Sequence, residues 1–195
     1  MPAFGSALRW VATTLGYGDT ADGYQQMSAE AEQVPPGCDG VRFDPTFAGR
    51  GTPDWTPGTA EVRGLRLDHG RAHLARAALE GLASQINDAL TAVGSAGVDI
   101  ARLTLVGGGA RSRMWNQLLA DVTGTAVEVP TDDPQQAPLR GAAASAWVGL
   151  GGFNDLANAA ENATGPLRRF TPAVPTTTST PPGPRTPEPA RKDRT

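Results

Sequence analysis

Cysteine, histidine and long apolar runs are what this sequence has least of. Cys38 is the lone cysteine among 195 residues, so no disulfide can form within the chain. With only two histidines, both distant from it in sequence, no metal-ligand set is suggested. No apolar run approaches the roughly 18 residues that cross a bilayer, and the opening MPAFGSALRW lacks the basic start and apolar centre of an export signal. An excess of positive charge is missing too. The formal net charge is −3, with Lys and Arg dispersed along the chain, which gives no reason to expect a polyanionic partner. The expectation is a cytoplasmic protein with no nucleic-acid and no membrane partner.

Large aliphatic residues are absent from 171–195, TPAVPTTTSTPPGPRTPEPARKDRT, which holds seven of the 17 prolines. Such a segment cannot bury enough apolar surface to offset the entropy of ordering it. We therefore expect a globular part over 1–170 and a disordered Pro/Thr-rich tail over 171–195.

Within 1–170, apolar residues at helical spacing (Leu8, Val11, Ala12, Leu15) predict an opening helix over 4–15, and a short polar helix follows over 21–33. Gly and Pro then punctuate two β-prone pieces, 41–47 and 62–65, joined by a long shaped loop over 48–60. The strongest helix is predicted over 69–93, with Asp68 as its cap and Gly94 as its stop. Strands over 102–106 and 126–129 alternate with helices over 112–123, closed by Gly124, and 138–150; a last short helix is capped by Asn154. Alternating helix and strand from 69 to 150 points to an α/β layer with at least partly parallel strands.

Residues 103–121, LTLVGGGARSRMWNQLLAD, place three glycines between a strand and a helix. Glycine permits positive φ and close approach to the backbone, and the helix beyond offers unpaired N–H donors to an anion. The stretch is thus either a ligand-free bend or a phosphate cradle. No G-x-x-x-x-G-K-[ST] occurs, which excludes a P-loop. A dinucleotide fingerprint would need glycine where Ser112 stands, yet Glu128 lies about where a ribose-binding acid belongs, so that rival stays open. Met114, Trp115, Leu118, Leu119 and Val122 form an apolar stripe, leaving Arg111, Ser112, Arg113 and Asn116 free to face a cleft. Gly141, Ala142, Ala144 and Ser145 would let the helix over 138–150 lie very close to a sheet or a bound ring.

The run ARLTLVGGGARSRMWNQLLADVTGTAVEVP (101–130) resembles the adenosine-binding segment of the FGGY carbohydrate kinases, most closely the xylulokinase branch. GSALRW (5–10), FDPTFAGRGTPDWTPGTAEVRGLRLDHGRAHLARAALEGLASQINDAL (43–90) and LRGAAASAWVGLG (139–151) agree in the same order. The resemblance implies an α/β fold, part of an actin-like ATPase with a ribonuclease-H-like core: a mixed sheet with flanking helices. It implies an ATP site at Gly107, Gly108, Gly109 and Ala110, with Ser112, Arg113 and Asn116 adding contacts, and Mg²⁺ accompanying ATP. The reaction implied is phosphorylation of a sugar hydroxyl, D-xylulose to D-xylulose 5-phosphate, with glycerol or another polyol as alternative acceptors. A dinucleotide-binding oxidoreductase fragment and an inactive remnant or interaction domain are the other readings.

Relatives are longer. The sugar-binding domain, a phosphate-gripping hairpin and the proton-accepting aspartate of the family find no match in these 195 residues and are expected upstream of Met1. Phosphoryl transfer needs such a carboxylate, but Asp44, Asp54, Asp68 and Asp121 each have a local explanation: turn, loop, helix cap and solvated helix face. No catalytic base and no metal ligands are assigned, and His69 and His73 are read as a pair on a helix surface. A domain lacking its first strands would expose an apolar face, so a separately encoded N-terminal half, or a homo-oligomer, is the expected partner. The loop FAGRGTPDW is expected to lean toward the cleft, with Thr52, Pro53 and Trp55 shaping it.

Overall fold

The computed structural model describes residues 4–49, 56–163 and 165–173. Two helices open the chain. Helix α1 (Phe4–Thr14) buries Ala7, Val11 and Ala12 on one face. Helix α2 (Ala21–Glu32) starts where the Thr20 hydroxyl accepts from the Gly23 amide at 3.1 Å and ends just before Pro35 and Pro36. A left-handed turn follows, with positive φ at Gly37, Cys38, Asp39 and Gly40. It is held from outside: the Gly37 amide donates to both oxygens of Glu80, whose carboxylate also takes Arg76 Nε at 2.8 Å.

Strands β1 (Arg42–Asp44) and β2 (Glu61–Arg63) pair antiparallel, shorter than the sequence suggests. Much of the loop between them, with Thr52, Pro53, Asp54 and Trp55, lies outside the described residues. Helix α3 (Arg71–Ser95) is the central beam, packing against α1, α2, β1 and α4. Its start corrects two expectations. The cap is Gly70, whose amide donates to His73 Nδ1 at 3.2 Å, while Asp68 pairs with Arg66. His69 precedes the helix, and its side chain is 1% exposed, stacked on His73 with ring centroids 4.9 Å apart; it is not on a helix surface.

Strands β3 (Arg102–Thr104) and β4 (Ala126–Pro130) are parallel, joined through helix α4 (Arg113–Thr123). A strand that the sequence did not suggest, β5 (Leu167–Phe170), pairs antiparallel with β4, giving a mixed sheet in the order β3-β4-β5. The two-residue side-chain period sorts its faces. Leu103, Val127 and Phe170 sit abreast in register and join the core beneath α4. The next rung holds Thr104, Glu128 and Arg169, and Glu128 lies 3.4 Å from both Arg102 and Arg169.

Helices α5 (Ala137–Gly149) and α6 (Leu156–Ala163) pack on each other. Asp155, not Asn154, caps α6, accepting from the Asn158 amide at 2.8 Å. Among the described residues α5 does not lie on the sheet: Gly141 has nothing within 4 Å of a built Cβ, and Ala144 alone of the helix is buried. The close approach to a sheet expected of its small residues is therefore corrected. Leu139, Trp147, Leu150 and Leu156 stand exposed beside it. No described helix is long and apolar enough to cross a membrane. Beyond β5 the backbone stays attached to α4, since Gln117 donates to the Thr171 carbonyl and the Ala173 amide to Asp121, both at 2.8 Å. Asp121 is thus a tether and not a solvated face; residues 174–195, where the tail was expected, lie outside the described residues.

Candidate functional site

The end of β3 is built by alternating backbone obligations. The Leu105 amide still pairs with Glu128 of β4 at 2.8 Å. Gly107 then turns at φ 87°, ψ −170°, a conformation open to glycine and strained for any L side chain. Residues Gly108–Arg111 wind one 3₁₀ turn, closed by Ala110 N–H to Gly107 O at 3.2 Å and Ser112 N–H to Gly109 O at 3.1 Å. Ser112 caps α4, its hydroxyl accepting from the Trp115 amide at 3.2 Å.

The predicted residues are therefore brought together, with two corrections. Gly107 is not a free donor, because its amide is bonded to the Pro134 carbonyl at 2.8 Å. The amides of Gly108 and Gly109 take no partner among the described residues. Asn116 does not face a cleft: it is 2% exposed and donates Nδ2 to the Ala110 carbonyl at 2.8 Å, so it stands behind the turn, not over it. Arg113 is exposed at the helix start, and the Ser112 hydroxyl lies 3.2 Å from that of Ser28 on α2. The Trp115 indole is 3.8 Å from where a Cβ on Gly109 would be, forming the floor of the turn.

One part of the site was not anticipated. The link from β4 to α5 holds a 3₁₀ turn, Pro134–Gln136, capped by Asp133, which accepts from the Gln135 amide at 3.2 Å. Its partner is Arg111 at 2.9 Å. The Arg111 guanidinium foremost, then the Gln135 amide, hold the Asp133 carboxyl below the ordinary carboxylate range. The Gln135 side-chain nitrogen comes within 3.2 Å of a Cβ built on Gly108, a space glycine leaves open. The Asp-Pro pair at 133–134 is a recognisable cap-and-first-turn signal that would have flagged this loop.

Glu128 does not serve the turn. It sits mid-sheet at 13% side-chain exposure between two arginines, away from the strand end where a ribose acid would belong. Among the described residues no group of three His, Cys, Asp or Glu side chains is placed to hold a metal. Cys38 is fully buried, and burial first, then the neighbouring Glu80, pushes its thiol up to about 12, which makes it a poor nucleophile.

A glycine turn between a parallel strand and a capped helix occurs in many α/β proteins, and its geometry alone does not name a family. Residues 1–150 match the model of the C-terminal domain of the FGGY family of carbohydrate kinases. The chain belongs to that family. Among curated FGGY kinases, a xylulose kinase of Staphylococcus epidermidis is 31% identical over 163 residues, 82% of this chain and 31% of that protein. A glycerol kinase of Gloeobacter violaceus is 36% identical over 159 residues, covering 78% of this chain and 30% of the relative. The crystal structure of xylulose kinase from Rhodospirillum rubrum superposes with a TM-score of 0.69 at 32% identity, over 86% of this chain and 33% of that one. This FGGY chain has the actin-like ATPase fold of those structures and spans about a third of the length of the relatives it matches. Family membership sets aside the dinucleotide-oxidoreductase reading.

Proposed function

We propose that this chain is the nucleotide-holding part of an ATP-dependent sugar kinase, with the polyphosphate of ATP received by the turn Gly107–Ala110. The observation that carries the reading is that the amides of Gly108 and Gly109, in the turn that leads into the capped helix α4, take no partner among the described residues. Gly107 supplies the bend, Ala110 and Asn116 hold its far end, and Ser112 and Arg113 border it at the start of α4. The exposed Arg113 adds positive charge there.

The acceptor proposed is D-xylulose, phosphorylated to D-xylulose 5-phosphate in the cytoplasm. The similar likeness to a glycerol kinase makes glycerol, or another polyol, the second candidate. Among the described residues, the carboxylates beside the turn are engaged, Asp133 by Arg111 and Asp132 by Arg140, and neither is free to take the acceptor's proton. For the same reason these residues do not fit a resident Mg²⁺. We therefore expect nucleotide binding without phosphoryl transfer from this chain alone, and catalysis only with a sugar-binding half, supplied by a separate polypeptide or a longer one.

Calorimetric titration of the purified chain with ATP, ADP and NAD tests this. ATP and ADP should bind at one site and NAD should not. A chain that binds none of them is an interaction domain, and the nucleotide reading is then wrong.

A further inference from the structure

The glycine turn is gripped from two sides. From within, Asn116 holds the Ala110 carbonyl at 2.8 Å. From without, the loop 131–136 makes two contacts, the Pro134 carbonyl on the Gly107 amide at 2.8 Å and Asp133 on Arg111 at 2.9 Å, and the Gln135 side chain stands 3.2 Å from where a Cβ on Gly108 would be. That loop is itself anchored. The Thr131 amide and hydroxyl both donate to the Pro166 carbonyl, at 2.9 and 3.0 Å, and Asp132 pairs with Arg140. The carboxylate of Asp133 is also fixed in place by the Gln135 amide at 3.2 Å.

We infer that Asp133, acting through Arg111, is a positioning residue that holds the glycine turn in its nucleotide-receiving shape; this rests on reading that turn as the nucleotide site. Three consecutive glycines lose more conformational freedom on ordering than any other residues would. Holding them in place beforehand removes that cost from the binding step. The sign of the effect separates this role from simple electrostatics. A carboxylate next to an anion site repels the anion, so its removal should tighten nucleotide binding if charge were all that mattered. A positioning carboxylate does the opposite.

The experiment uses the whole 195-residue chain with ADP as probe, comparing Asp133→Ala, Asp133→Asn, Arg111→Ala and the double variant Asp133→Ala/Arg111→Ala. Asp133→Ala should weaken ADP binding by about fivefold or more, as loss of preorganisation predicts. Asp133→Asn, which keeps the acceptor oxygen and drops the charge, should stay within about twofold of the parent. The double variant should bind no more weakly than Asp133→Ala, because that change already cuts the link to Arg111 along with the Gln135 cap. Without nucleotide, hydrogen exchange at Gly107 and Ala110, whose amides are bonded to the Pro134 and Gly107 carbonyls, should quicken in Asp133→Ala while exchange in α3 is unchanged. Unchanged or tighter ADP binding in Asp133→Ala, or unchanged exchange at Gly107 and Ala110, overturns the inference. If the parent chain binds no ADP, the nucleotide reading fails, and the exchange measurement still decides whether Asp133 holds the turn.

Discussion

Asn116, three residues before Leu119 on the buried side of α4, reaches back to the Ala110 carbonyl at 2.8 Å and so joins the helix core to the glycine turn. Both groups are nearly inaccessible to water, with Asn116 at 2% and Ala110 at 3% exposure. Truncation by Asn116→Ala leaves that carbonyl buried and unpaired, which costs about 1–3 kcal/mol. Urea unfolding should show this loss. Asn116→Asp should be worse, because a carboxylate there has no donor to replace the lost one, and Asn116 Oδ1 already lacks a partner.

Helix α3 contains two glycines for which opposite results are expected. A Cβ on Gly81 would lie 2.0 Å from the Phe43 carbonyl oxygen and 2.9 Å from Pro45 Cδ, where α3 crosses β1. Gly81→Ala must push the helix off the strand, and we expect a loss above about 2 kcal/mol from overpacking. Gly94 has open space around it, so Gly94→Ala should raise stability by up to about 1 kcal/mol through helix propensity alone. Chemical denaturation of both variants checks the pair of signs.

Stability should fall at both ends of the pH range through one cluster. Glu30 accepts from Tyr17 Oη at 2.7 Å and from Arg71, whose guanidinium stacks 4.4 Å over the Tyr17 ring. Arg71 first, then Tyr17, lower the Glu30 carboxyl from 4.5 to about 2. A lowered folded value means the stabilisation is complete above pH 4.5 and is lost as pH falls from there through about 2. Burial first, then the Glu30 bond, raises the Tyr17 hydroxyl from 10.0 to about 12. Its contribution is complete below pH 10 and fades as pH rises through about 12. Thermal midpoints of Glu30→Gln across pH should flatten on the acid limb, whereas an unchanged limb would mean the cluster does not couple to folding.

Much of this fold is written locally, where punctuation is strong. Gly124 closes α4 as expected, and Ser112, at the expected start of the helix, is its hydroxyl cap, both being chemical requirements of helix ends. Strand β5 left no trace in the sequence: Leu167, Arg168 and Arg169 are exposed and Phe170 alone is buried, so no alternation marks it. It exists because β4 has an edge to fill. The start of α3 misled for a related reason. Asp68 has the composition of a cap, but Arg66 claims its carboxylate and the chain enters the helix through Gly70.

At the site, Gly107 was legible because its φ restricts the residue type, while Asn116 was not. A polar residue beside an apolar stripe suggests solvent, yet its spacing to Leu119 and Ala120 puts it on the inward face. The Arg111–Asp133 link joins residues 22 apart. Contacts at that separation depend on how β4 returns alongside β3, which local patterning does not encode.

The claim that the turn after β3 receives a nucleotide is tested most directly by following backbone amide resonances while ADP is added to the purified chain. The account predicts saturable shifts centred on Gly108, Gly109 and Ala110, with smaller ones at Ser112 and Arg113 and none at Asn87 or Thr91, which share a cavity with Thr123 at the opposite end of α4. Shifts confined to other surfaces, or none at saturating ADP, would contradict it.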